Sequence, residues 1–151
     1  MKTLLIPFTA ALLMLNPVPS HADTYLCTYK ARISETDKHN SSGARISVSA
    51  FQLDAVAAIL RQDRANYHMF GRRDLEDLSD CAFNTKQNRD ALEIFVRNGR
   101  ISEAAMRKII YENPLISVDV YQEHIDIQTL AEQVPVQITP TQAPMIRSTI
   151  R

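Results

Sequence analysis

The chain of 151 residues has only two cysteines, Cys27 and Cys81, and both follow an N-terminal stretch with the form of an export signal. Met1-Lys2 gives a short positive start, and Thr3 to Leu15 is an apolar run of signal-peptide length. Pro17 and Pro19 break that run, and Ser20-His21-Ala22 puts small residues at the two positions a signal peptidase reads. Residues 1–22 are therefore expected to be a signal peptide cleaved after Ala22. The apolar run falls short of the roughly 20 residues needed to span a bilayer. Tyr25-Leu26 before Cys27 also differs from the small residues that precede a lipid-modified cysteine. In an oxidising compartment a lone, widely separated cysteine pair most simply forms one disulfide. The spacing is not C-x-x-C, and two cysteines alone do not complete a zinc site. Closing so long a loop is worth roughly 4 kcal/mol in the chain-entropy model.

Such a bond must join whatever elements carry the two sulfurs. Tyr25, Cys27, Tyr29, Ala31 and Ile33 alternate with Leu26, Thr28, Lys30 and Arg32, the period of a half-buried strand. After a wholly polar loop from Glu35 to Gly43, alternation resumes through Ile46 and Val48, which predicts an N-terminal hairpin with a long connection. Ser49 and Gln52 then have the form of a capping box. Leu53, Val56, Leu60, Tyr67 and Phe70 share one helical face beside Ala57 and Ile59, and Gly71 supplies a left-handed stop. Asp63 falls on that apolar stripe and needs a cationic partner, with Arg64, Arg72 and Arg73 nearest in sequence.

A second helix is expected from a cap at Asn84, burying Ala91, Leu92, Phe95 and Val96 and ending at Asn98-Gly99. A third starts at Ser102, with Ile101 and Met106 placed as a hydrophobic staple, and stops at Asn113-Pro114. Leu115 to Tyr121, then Ile125 and Ile127, predict one long or two short strands. The fold class expected is α+β: a small antiparallel sheet, made of the N-terminal hairpin plus the C-terminal strand or strands, packed on about three helices with one disulfide. Residues 23–130 form a single globular domain in this scheme. Residues 131–151, with three prolines and no periodicity, form a flexible or extended C-terminal tail.

Charge narrows the function classes. The chain has 17 Lys+Arg against 17 Asp+Glu, and removal of Lys2 leaves about one net negative charge. A nucleic-acid binder normally carries an excess of positive charge, so none is expected as partner. No later stretch is long and apolar enough for a transmembrane segment, and no Gly-rich loop is present to cradle a phosphate, so no cofactor is expected. Asp74, Glu76, Asp77 and Asp80 crowd up to Cys81, but Leu78 breaks the ligand alternation of a calcium loop and the central glycine is missing. With Arg72 and Arg73 in front, this run is expected to be a solvated loop pinned by its cysteine, and no metal site is assigned.

His39 has Asp37, Ser41 and Ser42 nearby, and His124 lies between Glu123 and Asp126. These are the weak catalytic candidates. A triad needs members from separate, rigid segments, and zinc-protease H-E-x-x-H spacing is absent. Arg61, Arg64, Arg72 and Arg73, set among Asp74, Glu76 and Asp77, make a mixed-charge surface able to recognise a partner by complementary charge. The expected function is that of an exported, soluble, non-catalytic protein, periplasmic or secreted. It would bind another envelope or secreted protein in the bacterial envelope as an inhibitor or immunity protein, an accessory factor or a virulence factor. The alternative is a small periplasmic hydrolase acting on cell-wall or ester substrates through His39 or His124.

Overall fold

The computed structural model describes residues 23–48 and 52–132. The expected signal peptide, Ser49 of the expected capping box and nearly all of the expected tail lie outside the described residues. Strand β1 (Tyr25–Arg32) is followed by a 3-10 turn (Glu35–Lys38), helix α1 (Gln52–Ala65) and a π-helical turn (Asn66–Phe70). Helices α2 (Lys86–Asp90), α3 (Leu92–Asn98) and α4 (Glu103–Tyr111) follow, then β2 (Leu115–Tyr121) and β3 (Ile125–Thr129). The sheet has three antiparallel strands in the order β1-β2-β3. The α+β class and the single disulfide are as the sequence predicts, and Cys27 is bonded to Cys81. Among the described residues no helix is long and apolar enough to cross a membrane.

The N-terminal hairpin is not formed. β1 pairs with β2, from Tyr25 opposite Tyr121 to Arg32 opposite Leu115, and Ala44–Val48 is no strand. Arg45 instead forms an isolated antiparallel bridge with His39, a residue of the expected loop. Period-two alternation demands a buried face but does not say which strand shares it. Tyr29, Ala31, Ile116, Val118, Val120, Ile125 and Ile127 form that face. They meet Val56, Ile59 and Leu60 of α1, Leu92 and Val96 of α3, and Ile109 and Ile110 of α4 in one core. The opposite face of the sheet carries Thr28, Lys30, Ser117, Asp119 and Gln128.

Both outer strands have their free edges covered. On β3, the Ile127 N–H donates to the Arg100 carbonyl at 2.9 Å. Gly99 makes this approach feasible. Its backbone is extended, but a Cβ there would stand 1.7 Å from the Ile125 carbonyl oxygen. It is close contact, not left-handed freedom, that requires glycine at this position. On β1, the Leu78 N–H donates to the Lys30 carbonyl at 2.9 Å, and the Asp77 carboxylate accepts from the Arg32 N–H at 2.8 Å.

Local signals set the helix ends with small shifts, but the second expected helix is divided at Ala91 into α2 and α3. Ser102 caps α4 by accepting from the Ala105 N–H, and Ile101 and Met106 pack against the core as the staple requires. The cap of α2 is Thr85, not Asn84. The expected long helix ends in the wider π-helical turn, closed by Gly71 at φ 63°. That turn changes the angular phase of the apolar stripe, so Tyr67 is buried while Phe70 faces solvent. The polar stretch after β1 is also better anchored than a plain loop. Lys38 is buried and donates to Glu35, the Glu112 carbonyl and Asn113. Asp37, also buried, accepts from Ser34 and Asn66.

Candidate partner-binding surface

The chain from Met69 to Cys81 leaves the first helix and returns to the sheet, and its two ends are drawn together. His68 Nε2 lies 2.6 Å from Asp80 Oδ2. The Asp80 side chain is wholly buried, and its other oxygen accepts from the Ala82 and Phe83 N–H groups at 3.0 and 2.5 Å. Burial raises the Asp80 pKa. The hydrogen bonds from His68, Phe83 and Ala82 outweigh that effect and hold the carboxyl below its ordinary value.

Behind this neck sits Arg64. Its guanidinium lies 4.4 Å from the ring centre of Tyr29 and 4.8 Å from that of Tyr67. Nε donates to Asp63 at 2.8 Å, and Nη1 donates to the Leu78 carbonyl at 3.0 Å and to Asp80 at 3.3 Å. Asp63 thus finds its counter-ion in Arg64, one of the three arginines expected. Arg64 itself is completely buried. It therefore belongs to the interior and not to the mixed-charge surface on which the sequence placed it. Burial pushes the Asp63 carboxyl up to about 7, against the opposing pull of Arg64.

The tip of the segment is a four-residue turn, Asp74 to Asp77. The Asp77 N–H donates to the Asp74 carbonyl at 3.1 Å, and the Asp77 carboxylate accepts from the Asp74 N–H at 2.8 Å. That same carboxylate accepts from the Arg32 N–H, so one side chain closes the turn and fastens it to β1. Arg32 reaches Glu76 at 2.7 Å with one nitrogen and Glu132 at 3.0 Å with another. The bond to Arg32 lowers the Glu76 pKa, while burial raises that of Asp74. Arg73 lies over the Tyr67 ring at 4.1 Å and donates to the Tyr67 carbonyl at 3.2 Å. The acidic run is thus fastened at several points and is more ordered than a solvated loop held by its cysteine alone.

This anchored segment exposes apolar side chains. Among the described residues nine large hydrophobic side chains are exposed, and Met69, Phe70, Leu75 and Leu78 all stand here. Leu75, at the second position of the turn, is fully exposed. Arg72, Asp74 and Glu76 flank these groups. Exposed apolar and charged side chains thus alternate along a segment whose backbone is held at several points. Arg61 is exposed on α1 and lies 3.9 Å from Asp90, so it stands apart from this segment in the chain and faces α2.

The two histidines stand elsewhere. His39 Nδ1 donates to the Glu35 carbonyl at 2.8 Å, and the ring lines a depression of about 610 Å³ with Ser41, Ser42, Asn66, Phe70 and Arg72. His124 is stacked on Tyr121, with ring centres 4.4 Å apart, and lines a depression of about 430 Å³ with Asp23, Arg100, Glu123 and Asp126. The two depressions share no lining residue. Asp126, the acid nearest His124 at 3.8 Å, is engaged by the backbone and side chain of Arg100 at 2.8 and 3.0 Å. Among the described residues no three His, Cys, Asp or Glu side chains are grouped to hold a metal ion. The chain matches no family model, no curated protein and no solved structure.

Proposed function

We propose that this chain is an exported, non-catalytic protein of the bacterial envelope that binds another envelope or secreted protein through the segment Met69–Leu78. One observation carries the proposal: a turn fastened to β1 by Asp77 holds a fully exposed leucine at its tip. Ordering the segment before contact removes a cost that a mobile loop would meet on binding. A raised, rigid tip suits insertion into a concave partner and not the enclosure of a small substrate. The leader-like residues 1–22 and the Cys27–Cys81 bond support an oxidising destination. Inhibitor or immunity protein, accessory factor and virulence factor all fit a chain of this kind. The hydrolase alternative would need His39 or His124 to converge with a nucleophile and an orienting acid, and the two rings line separate depressions.

The test is purification of the tagged chain from the periplasm, with mass measured by light scattering. A single partner in fixed stoichiometry is expected. A chain that travels alone, and turns over ester or cell-wall substrates in a manner lost in His39→Ala or His124→Ala, would reverse the proposal.

A further inference from the structure

We infer that signal-peptide removal creates a binding site for a divalent transition-metal ion, made of the freed α-amino group and the carboxylate of Asp23 together with the imidazole of His124. The site depends on the export reading, which puts cleavage after Ala22, and is independent of the segment Met69–Leu78. The start of the described chain is pinned to the turn that carries the histidine. The Gln122 N–H donates to the Thr24 carbonyl, and the Tyr121 N–H to the His124 carbonyl, both at 2.9 Å. Asn98 Nδ2 steadies the same turn by donating to the Glu123 carbonyl at 3.2 Å. His124 is only 8 % exposed, and its ring is stacked on Tyr121. Neither ring nitrogen has a hydrogen-bond partner among the described residues: Nδ1 lies 4.0 Å from Asp23 Oδ1, and Nε2 lies 3.8 Å from Asp126 Oδ1. A nearly buried imidazole left without a partner is costly unless something else engages it.

A metal ion between Nδ1 and the Asp23 carboxylate would engage both. Metal bonds to imidazole nitrogen and carboxylate oxygen are about 2.0–2.2 Å long, so two of them span a gap of the observed 4.0 Å. With Nδ1 as ligand the ring proton sits on Nε2, toward Asp126, and a carboxylate there is the usual partner that orients a metal-bound histidine. While Ala22 is attached the Asp23 nitrogen is an amide and a poor donor. Hydrolysis of that bond makes it an amine with an ordinary pKa of about 7.7–8.0, so near neutral pH a metal displaces its proton to solvent. Amine and carboxylate of one residue then close a chelate ring, and His124 supplies the second nitrogen. Of the first-row divalent ions, copper(II) binds such a nitrogen and oxygen set most tightly. Asp23, Glu123 and Asp126 line the depression against one guanidinium, that of Arg100, already bound to Asp126 at 2.9 Å. The local field therefore favours a cation. One donor is a chain terminus, so the set is compatible with the lack of any three-side-chain group among the described residues.

The test uses the full chain exported to the periplasm, purified without a tag at its start and stripped of metal with a chelator. N-terminal sequencing fixes its first residue. Calorimetric titration with copper(II) is expected to show one site per chain, and the electron paramagnetic resonance spectrum coupling to two nitrogens. Two variants separate this site from adventitious binding: His124→Ala, and a chain that retains Ala22 ahead of Asp23 and so leaves every side chain of the site in place. Each should bind copper(II) at least about tenfold more weakly, and His124→Ala should lose the coupling to one nitrogen. Circular dichroism should match the parent in both. Undiminished affinity in either variant means an adventitious ion only and overturns the inference. A chain that starts at Asp23 and ignores copper(II) overturns the site alone, leaving export and partner binding standing. A chain recovered uncleaved overturns the export reading and the site with it.

Discussion

Replacement of Arg64 by Met tests the interior that supports the exposed turn. Met keeps much of the length and apolar character of the side chain but deletes the charge lying between Tyr29 and Tyr67. Asp63 and Asp80 then lose a cation at 2.8 and 3.3 Å, and the Leu78 carbonyl loses a donor. Breaking a buried ion pair by removing one member costs about 3–5 kcal/mol. A folded unit of about 110 residues unfolds with an entropy near 2.1 cal/mol/K per residue, so the melting temperature should fall by roughly 13–22 °C.

The loss should depend on pH. Burial raises the Asp63 pKa in the folded chain to about 7, above its value in the unfolded chain. Below its unfolded value the carboxyl is protonated in both states. As pH rises toward about 7 the folded chain keeps a proton that the unfolded chain has released, and stability falls, at most about 1.4 kcal/mol per pH unit. Without Arg64 the folded-state pKa climbs further, so this loss continues to higher pH. Urea unfolding followed by circular dichroism should therefore show a larger deficit at pH 8 than at pH 5. A deficit below about 1 kcal/mol at pH 8, or one equal at both pH values, would refute the role assigned to Arg64.

Cys81→Ser should lower stability by roughly 4 kcal/mol in the chain-entropy model, because the bond closes a separation of 54 residues. Identical melting curves with and without reductant would contradict this. Gly99→Ala should cost about 1–3 kcal/mol by overpacking, since the new carbon would meet the Ile125 carbonyl at 1.7 Å. Unfolding at the wild-type urea midpoint would show that β3 can yield there. Truncation after Leu130 should preserve the far-ultraviolet spectrum, because the last backbone bond of the sheet, from the Leu130 N–H to the Leu115 carbonyl, is retained. Loss of helical signal would place a structural element in residues 131–151.

What could be read beforehand was local. Ser102, Ile101 and Met106 announce α4 because a cap and a staple are defined within one turn of chain. Cys27 and Cys81 could be paired without geometry because no third cysteine competes. The partner of β1 could not be read, since Ile46 and Val48 offer the same alternation as β2 and only distant packing chooses between them. Phe70 was misplaced because nothing in its residue type foretells the wider turn at Asn66–Phe70. The burial of Arg64 was missed for a related reason: the cover comes from Tyr29 on β1 and Leu78 on a later loop. Asp80 was more accessible to reasoning. Its acceptance of N–H groups two and three residues ahead is a local Asx-type turn, a recognised habit of aspartate before Ala82-Phe83.

The pairing of Tyr25 with Tyr121 also sets an order of events for a chain that emerges N-terminus first. The opening strand must wait for nearly the whole polypeptide before its neighbour arrives, a slow search of the kind that non-local strand contacts impose. Cys81 arrives well before Tyr121. A sulfur bridge made in that interval would hold the waiting strand against the Asp80 loop, a placeholder for the missing ladder until the carboxy-terminal strands come through.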